Sequence, residues 1–303
     1  MRVFTAISLI MAPINITGNL LVCLIVFKGK TMKTFTNLLL VNLALADMSF
    51  GILQLIELAI FQVTEVFDAN VFCKSTAYST HVVCGVSIVT LTIIAYERYQ
   101  AVARPFRTRL KTTTSKKAVA KLIIIWLTSL ISMSPVLYFQ WGKAGSDGDP
   151  VCGSQQMHHV YPNRIFYFWE AIVFLALPNL IIIYCYSRVI FALWFSKAVF
   201  VSSTASFESR RKLAKVLLFI TLIFIVCWVA VCIEHMFYIF GASVSKEFNI
   251  MTFFMIHFNS SVNPFVYSLH SSKFRKSCKG IFSDLLGIVR SCSSSSDRNQ
   301  ERH

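Results

Sequence analysis

Seven long apolar runs dominate this chain, at about 4–27, 35–61, 71–103, 118–139, 165–195, 213–240 and 248–269. Roughly 20 mainly apolar residues in a helix cross the hydrocarbon of a bilayer, and every run reaches that length. The charge content agrees. Only 14% of the 303 residues are charged, against about 25% in a soluble domain, so polar groups are too few to cover a water-facing surface. The expected fold is all-α, a seven-helix membrane bundle. Several runs exceed the hydrocarbon thickness, so tilt or protrusion is expected.

A net charge of +15 raises the question of nucleic acid, but its distribution points to lipid instead. The first break holds Lys28, Lys30 and Lys33, the third Arg104 to Lys117, and the fifth Lys197 and Arg210 to Lys215. The alternate breaks hold few cations and several acids, among them Glu65, Asp68, Asp147 and Asp149. Lysine and arginine collect on the cytoplasmic side. The N-terminus is therefore expected outside and the C-terminus in the cytoplasm of a multi-pass plasma-membrane protein. Arg2 leads directly into the first apolar run, so no cleaved leader is expected. With so short an outer terminus, large protein ligands that need a capture domain are not expected.

Residues 1–270 form the bundle in this reading. Residues 271–287 alternate basic side chains with Phe274, Ile281, Phe282, Leu285 and Leu286, the pattern of an amphipathic helix on the inner leaflet. Residues 288–303 are polar and are expected to be a disordered tail. Cys278 and Cys292 are either palmitoylation sites or free thiols.

A carboxylate in mid-span costs about 2.5–3.5 kcal/mol on insertion scales and needs company. Asp47 stands there, in Asn42-Leu43-Ala44-Leu45-Ala46-Asp47, with Asn19, Ser87, Asn259 and Asn263 as candidate partners from other helices. On chemistry alone two readings stay open: oxygens around a hard monovalent cation, or a protonated Asp47 in a hydrogen-bonded network.

Each run carries one marked position. These are Gly18-Asn19, Leu43 to Asp47, Cys73 with Glu97-Arg98-Tyr99, Trp126, Pro178 with Tyr186, Cys227-Trp228, and Asn263-Pro264-Phe265-Val266-Tyr267. In this order they resemble the rhodopsin-like (class A) G-protein-coupled receptors over nearly the whole chain. The resemblance implies a sodium ion held by Asp47, Ser87, Asn259 and Asn263 in the resting state. It implies a cytoplasmic switch of Glu97, Arg98, Tyr99, Tyr186, Asn263, Pro264 and Tyr267, with Glu97 restraining Arg98. It also implies a disulfide between Cys73 and Cys152, both on the outer, oxidising side. Heterotrimeric G-proteins are the implied partners; Ser202, Ser203, Thr204 and Ser293 to Ser296 are either kinase sites leading to arrestin or ordinary polar loop residues. No enzymatic activity, cofactor or nucleic acid is expected.

Two positions depart from that pattern. Where many relatives place a second acidic clamp, this chain has Arg210, with Glu208 two residues before it; raised basal signalling is the expectation. The proline that usually follows the sixth-helix tryptophan by two residues is Ala230 here. Proline kinks a helix by removing a backbone bond, so the sixth helix is expected straighter or bent by other means.

The outer halves of the helices hold Glu57, Glu170 and Glu234, with Thr80, His81, His235, Phe253 and His257 at similar depth and Trp228 beneath. Such a set suits a cationic ligand with an apolar body, and a short cationic or amidated peptide is the leading expectation. Amine receptors of the resembled family carry an aspartate where Thr80 stands, and opsins a lysine where His257 stands, so both are disfavoured. The alternatives are a small-molecule or amine ligand, or a receptor fold that scaffolds without signalling. A membrane enzyme would need a second catalytic acid or a Ser/His set at span depth, and a transporter would show repeated halves; neither is visible.

Overall fold

The computed structural model describes residues 2–28, 35–60, 68–103, 115–144, 150–154, 160–195, 204–270, 274–281 and 283. Four helices come first: α1 (Arg2–Lys28), α2 (Phe35–Ile60), α3 (Ala69–Ala103) and α4 (Ser115–Met133). A single further turn, Val136–Phe139, leads into strands β1 (Gln140–Ala144) and β2 (Pro150–Ser154). The fifth rod, α5, comprises Val160–Glu170, a π-helical turn Ala171–Ala176 and Leu177–Phe195. Then come α6 (Thr204–Phe240), α7 (Lys246–His270) and α8 (residues 274–281).

The helices close into a bundle. α1 packs on α2 and α7, α7 packs on α6, and α3 runs through the middle against α2, α4, α5 and α6. Burial is inverted relative to a soluble protein. Ile131, Leu180 and Phe240 are more than half exposed, whereas Asp47, Thr90, Asn42 and Asn263 are buried. Apolar side chains that face outward are stable only in lipid, and polar ones gathered inside are rare in lipid and face the bundle interior. Among the described residues, five helices are long and apolar enough to cross a membrane by length and composition alone. In α6 the apolar stretch is the shorter Thr221–Phe237, and α7 is diluted by inward Thr252, His257, Asn259, Ser260, Ser261 and Asn263.

Small residues set the closest approaches. A Cβ on Gly18 would come 3.0 Å from Pro264 Cγ, and one on Gly51 would come 3.0 Å from Ile16 Cγ1. Glycine at these places lets α1 seat against α7 and α2.

Two features go beyond the sequence reading. The long fourth break, expected as a loop, contains an antiparallel hairpin that pairs Gly142 with Cys152. A disulfide joins Cys152 to Cys73 on α3, with Cα atoms 5.4 Å apart. Gly142 lies so close to Ala69 and Cys73 that a side chain there would strike both, and its amide donates to Asn70 Oδ1 at 3.3 Å. In α5, the π turn sits directly before Leu177-Pro178, and the Leu177 amide donates five residues back to Ile172 O. Proline lacks the donor that a regular turn needs at this point, so the irregular turn belongs to the same interruption of the ladder. α6 is one unbroken helix with no proline inside it. The side chains of Glu208, Arg210, Tyr238 and Tyr267, and Ser202, Ser203, Cys292 and Ser293 to Ser296, lie outside the described residues.

Candidate functional site

Asp47 is wholly buried in α2. Its Oδ2 accepts from Asn263 Nδ2 on α7 at 2.8 Å and its Oδ1 accepts from Ser87 Oγ on α3 at 3.1 Å. Its backbone oxygen accepts from Asn15 Nδ2 on α1 at 2.8 Å. One residue thus ties four helices together. Asn19 does not bond Asp47; its amide donates to Asn15 Oδ1 at 2.6 Å and to Ser260 O at 3.0 Å, bridging α1 to α7. Asn259 is buried on the same helix as Asn263. A second buried chain lies beside this one: Trp126 Nε1 donates to Asn42 Oδ1 at 2.9 Å and Asn42 Nδ2 donates to Thr90 Oγ1 at 2.8 Å. It links α4, α2 and α3. Asn15 and the Asn42–Thr90 pair escaped the sequence reading. Asn15 heads an Asn15-Ile16-Thr17 triplet inside an apolar run, which reads only as an unused glycosylation sequon.

Near the C-terminal end of α3, an Nη of Arg98 donates to Thr36 Oγ1 at the start of α2. Tyr99 is buried, its ring 6.0 Å from that of Tyr184. Tyr186 is buried on α5, and Pro264 is buried one residue after Asn263.

The outer half of the bundle contains a cavity of about 180 Å³. Eight of the nine expected ligand-facing residues line it: Thr80, His81, Glu170, Trp228, Glu234, His235, Phe253 and His257. Glu57 is the exception; it is half-buried and accepts from Gln54, a lining residue, at 3.4 Å. The sequence reading missed Phe50, Gln54, Cys84, Met133 and Phe174, which complete mostly apolar walls. Depth follows from α3: at ~1.5 Å per residue, Thr80 lies about 10 Å below Cys73 and about 27 Å above Arg98.

The acids are not equivalent. Glu170 is 8% exposed and sits between two histidines, with His235 Nε2 at 3.1 Å and His81 Nε2 at 3.6 Å. At the floor, His257 Nδ1 lies 2.9 Å from Phe253 O. Its Nε2, and Trp228 Nε1, have no hydrogen-bond partner among the described residues. Buried polar atoms are nearly always bonded, so these two are exceptions among residues that line the cavity.

Among the described residues no cluster of His, Cys, Asp and Glu side chains is arranged to hold a metal ion. The groups around Asp47 are a different kind of set: one carboxylate, the Ser87 hydroxyl and the Asn263 amide, with Asn259 one turn before Asn263 on α7. Oxygens of this type fit a small hard cation.

Comparison with known proteins agrees with this geometry. The family described as "7 transmembrane receptor (rhodopsin family)" matches residues 18–267. Galanin receptor 2a of Danio rerio is 31% identical over 288 residues, 91% of this chain and 77% of the relative. The pyroglutamylated RF-amide peptide receptor of Rattus norvegicus is 27% identical over 86% of this chain and 65% of its own length. Somatostatin receptor type 4 of the same species is 26% identical, over 87% and 68%. The chain spans about two thirds to three quarters of these relatives. The inverted burial, the outer cavity, the stapled hairpin and a match over most of the length converge: this chain is a multi-pass membrane protein, not an enzyme, and belongs to the rhodopsin family of seven-transmembrane receptors.

Proposed function

We propose that the chain is a plasma-membrane receptor that binds the tip of a short cationic or amidated peptide on its outer side and activates heterotrimeric G-proteins on its inner side. The carrying observation is the outer cavity, with Glu170 and Glu234 set in largely apolar walls. A cation with an apolar body gains charge pairing and burial together in such a site. At about 180 Å³ the cavity admits a side chain or two, so the rest of a peptide stays nearer the hairpin. The relatives are named for peptides: galanin, an RF-amide and somatostatin. The same small volume favours, as a second reading, a small organic cation in place of a peptide.

In this reading the N-terminus is outside, because the basic breaks alternate with acidic ones along the chain. The ligand binds the active arrangement more tightly and shifts a pre-existing equilibrium. The inner ends of α5 and α6 part, and Arg98, with Tyr186 and Tyr267, meets the G-protein. Asn263 and Pro264 couple the Asp47 network to that movement. Arrestin engages phosphorylated serines of the fifth break and tail.

Sodium at Asp47, Ser87, Asn259 and Asn263 belongs to the same reading. These side chains would hold the ion between α2, α3 and α7, and it would favour the resting bundle. Asp47→Asn removes the charge the ion needs. Sodium chloride in place of choline chloride is expected to raise the thermal midpoint of the wild type and not of Asp47→Asn. Equal shifts in both would count against the ion.

The decisive experiment is stimulated nucleotide exchange on a panel of G-proteins, with a library of amidated and free-acid peptides and small amines. Exchange driven by a cationic peptide and lost in Glu234→Gln supports the reading. Tight binding without exchange on any G-protein would leave a scaffold.

A further inference from the structure

The contact between Glu170 and its two histidines contains more hydrogen-bonding information than its distances alone. His235 Nδ1 lies 2.9 Å from Val231 O, and His81 Nδ1 lies 2.7 Å from Ala77 O. A backbone carbonyl only accepts, so each Nδ1 carries a hydrogen. A neutral imidazole has one N–H, and with it spent on the carbonyl, Nε2 presents a lone pair. Yet His235 Nε2 faces Glu170 Oε2 at 3.1 Å. Two lone pairs do not hold that distance in a buried site. The pair therefore carries one further proton, on Nε2 or on the carboxyl group, and the contact is then a short, charge-assisted or acid-to-imidazole hydrogen bond. His81 approaches the other carboxyl oxygen from α3 at 3.6 Å, where a second proton would strengthen an ion pair.

We propose that His81, Glu170 and His235 form a proton-binding site that clasps α3, α5 and α6 around the outer cavity, and that a cationic ligand group and the proton compete for Glu170. The proton site stands on the geometry alone; the competition rests on the reading of the cavity as a cation site. When the proton leaves to solvent through the cavity, His235 keeps its Nδ1 hydrogen, Glu170 becomes a bare carboxylate, and the α5–α6 bond is lost. A guanidinium or ammonium group that pairs with Glu170 needs that bare carboxylate, so its entry releases the proton. The other titratable groups facing the trio are Glu234 on α6, Cys84 on α3, His257 on α7 and Tyr167 on α5, whose ring stands edge-on to His235 at 5.4 Å. Glu234 is the other carboxyl group among the cavity-lining residues. It is nonetheless His235 that stands at hydrogen-bond distance from Glu170.

The test uses the full chain in lipid nanodiscs, without ligand, and follows its thermal midpoint from pH 5.5 to 8. The clasp is closed when protonated, so the wild-type midpoint is expected to fall as pH rises, by about 3 °C. Glutamine at 235 offers a donor that does not titrate. His235→Gln and Glu170→Gln should therefore flatten the profile, and His81→Gln should reduce its slope. A flat wild-type profile, or a slope retained in both His235→Gln and Glu170→Gln, overturns the proposal. If His235→Gln does not fold, Glu170→Gln and His81→Gln supply the same comparison. The second arm adds L-argininamide as a cation probe. It is expected to raise the wild-type midpoint more at pH 8 than at pH 5.5. A slope that vanishes in the variants while argininamide acts equally at both pH values supports the proton site and overturns the competition; argininamide without effect at either pH overturns the cationic reading of the cavity.

Discussion

The two halves of the bundle hold their polar groups differently. In the inner half, Asp47 accepts from Ser87 and Asn263 at its carboxylate and from Asn15 at its backbone, and Asn42 is bonded at both ends. In the outer half, the elements are stapled by the Cys73–Cys152 disulfide, while Trp228 Nε1 and His257 Nε2, on residues that line the cavity, have no hydrogen-bond partner among the described residues. A bonded network fixes one arrangement, because losing a partner leaves a buried group unsatisfied at about 1–3 kcal/mol. An unbonded donor and acceptor cost stability and gain a binding surface. The contrast separates a half whose polar groups are locked together from a half that encloses a cavity.

Four measurements would break or sharpen that contrast. Cys73→Ser removes the covalent tie across a sequence separation of 79 residues, and should cost about 4 kcal/mol, read as lost surface expression and a lowered thermal midpoint. Asn263→Ala strands one Asp47 oxygen and should cost about 1–3 kcal/mol in the same assay. Trp126→Phe removes a single bond to Asn42 and should cost about 1 kcal/mol. Thr80→Ala, on the cavity wall, should leave the midpoint within about 0.5 kcal/mol while changing agonist potency. Should Thr80→Ala destabilise as much as Asn263→Ala, the division between a fixed inner half and an open outer half fails.

Ligand potency sharpens the outer side further. Glu234 lines the cavity and Glu57 does not. Potency of a cationic agonist is therefore expected to drop at least tenfold in Glu234→Gln and much less in Glu57→Gln. Arg210→Glu, which restores an acid at the foot of α6, should lower ligand-free nucleotide exchange; unchanged exchange would remove the idea of a loosened resting state.

Much of this was legible before any coordinates. Runs of apolar residues long enough for a bilayer report directly on helices, because in lipid a lone segment must satisfy its own backbone. Asp47 announced a need for partners by its depth alone. Its partners were harder: Ser87 and Asn263 stood among four polar candidates from other helices, whereas Asn15 looked like an idle sequon. The hairpin was invisible because its pairing depends on Gly142 fitting under the disulfide against Ala69 and Cys73. That contact joins residues some seventy positions apart. The π turn of α5 leaves no periodicity signal beyond Pro178 itself.

The sequence by itself determined the solvent, the number of spans and the family, since these follow from composition and order along the chain. Only the tertiary structure decided which acids are open and which are spoken for. Glu57, Glu170 and Glu234 look alike on paper. Packing sets Glu170 between His81 and His235, puts Glu234 on the cavity wall and leaves Glu57 with Gln54. Charge pairing and hydrogen bonding fall off within a few ångströms, and neighbours at that range come from helices that sequence distance does not relate.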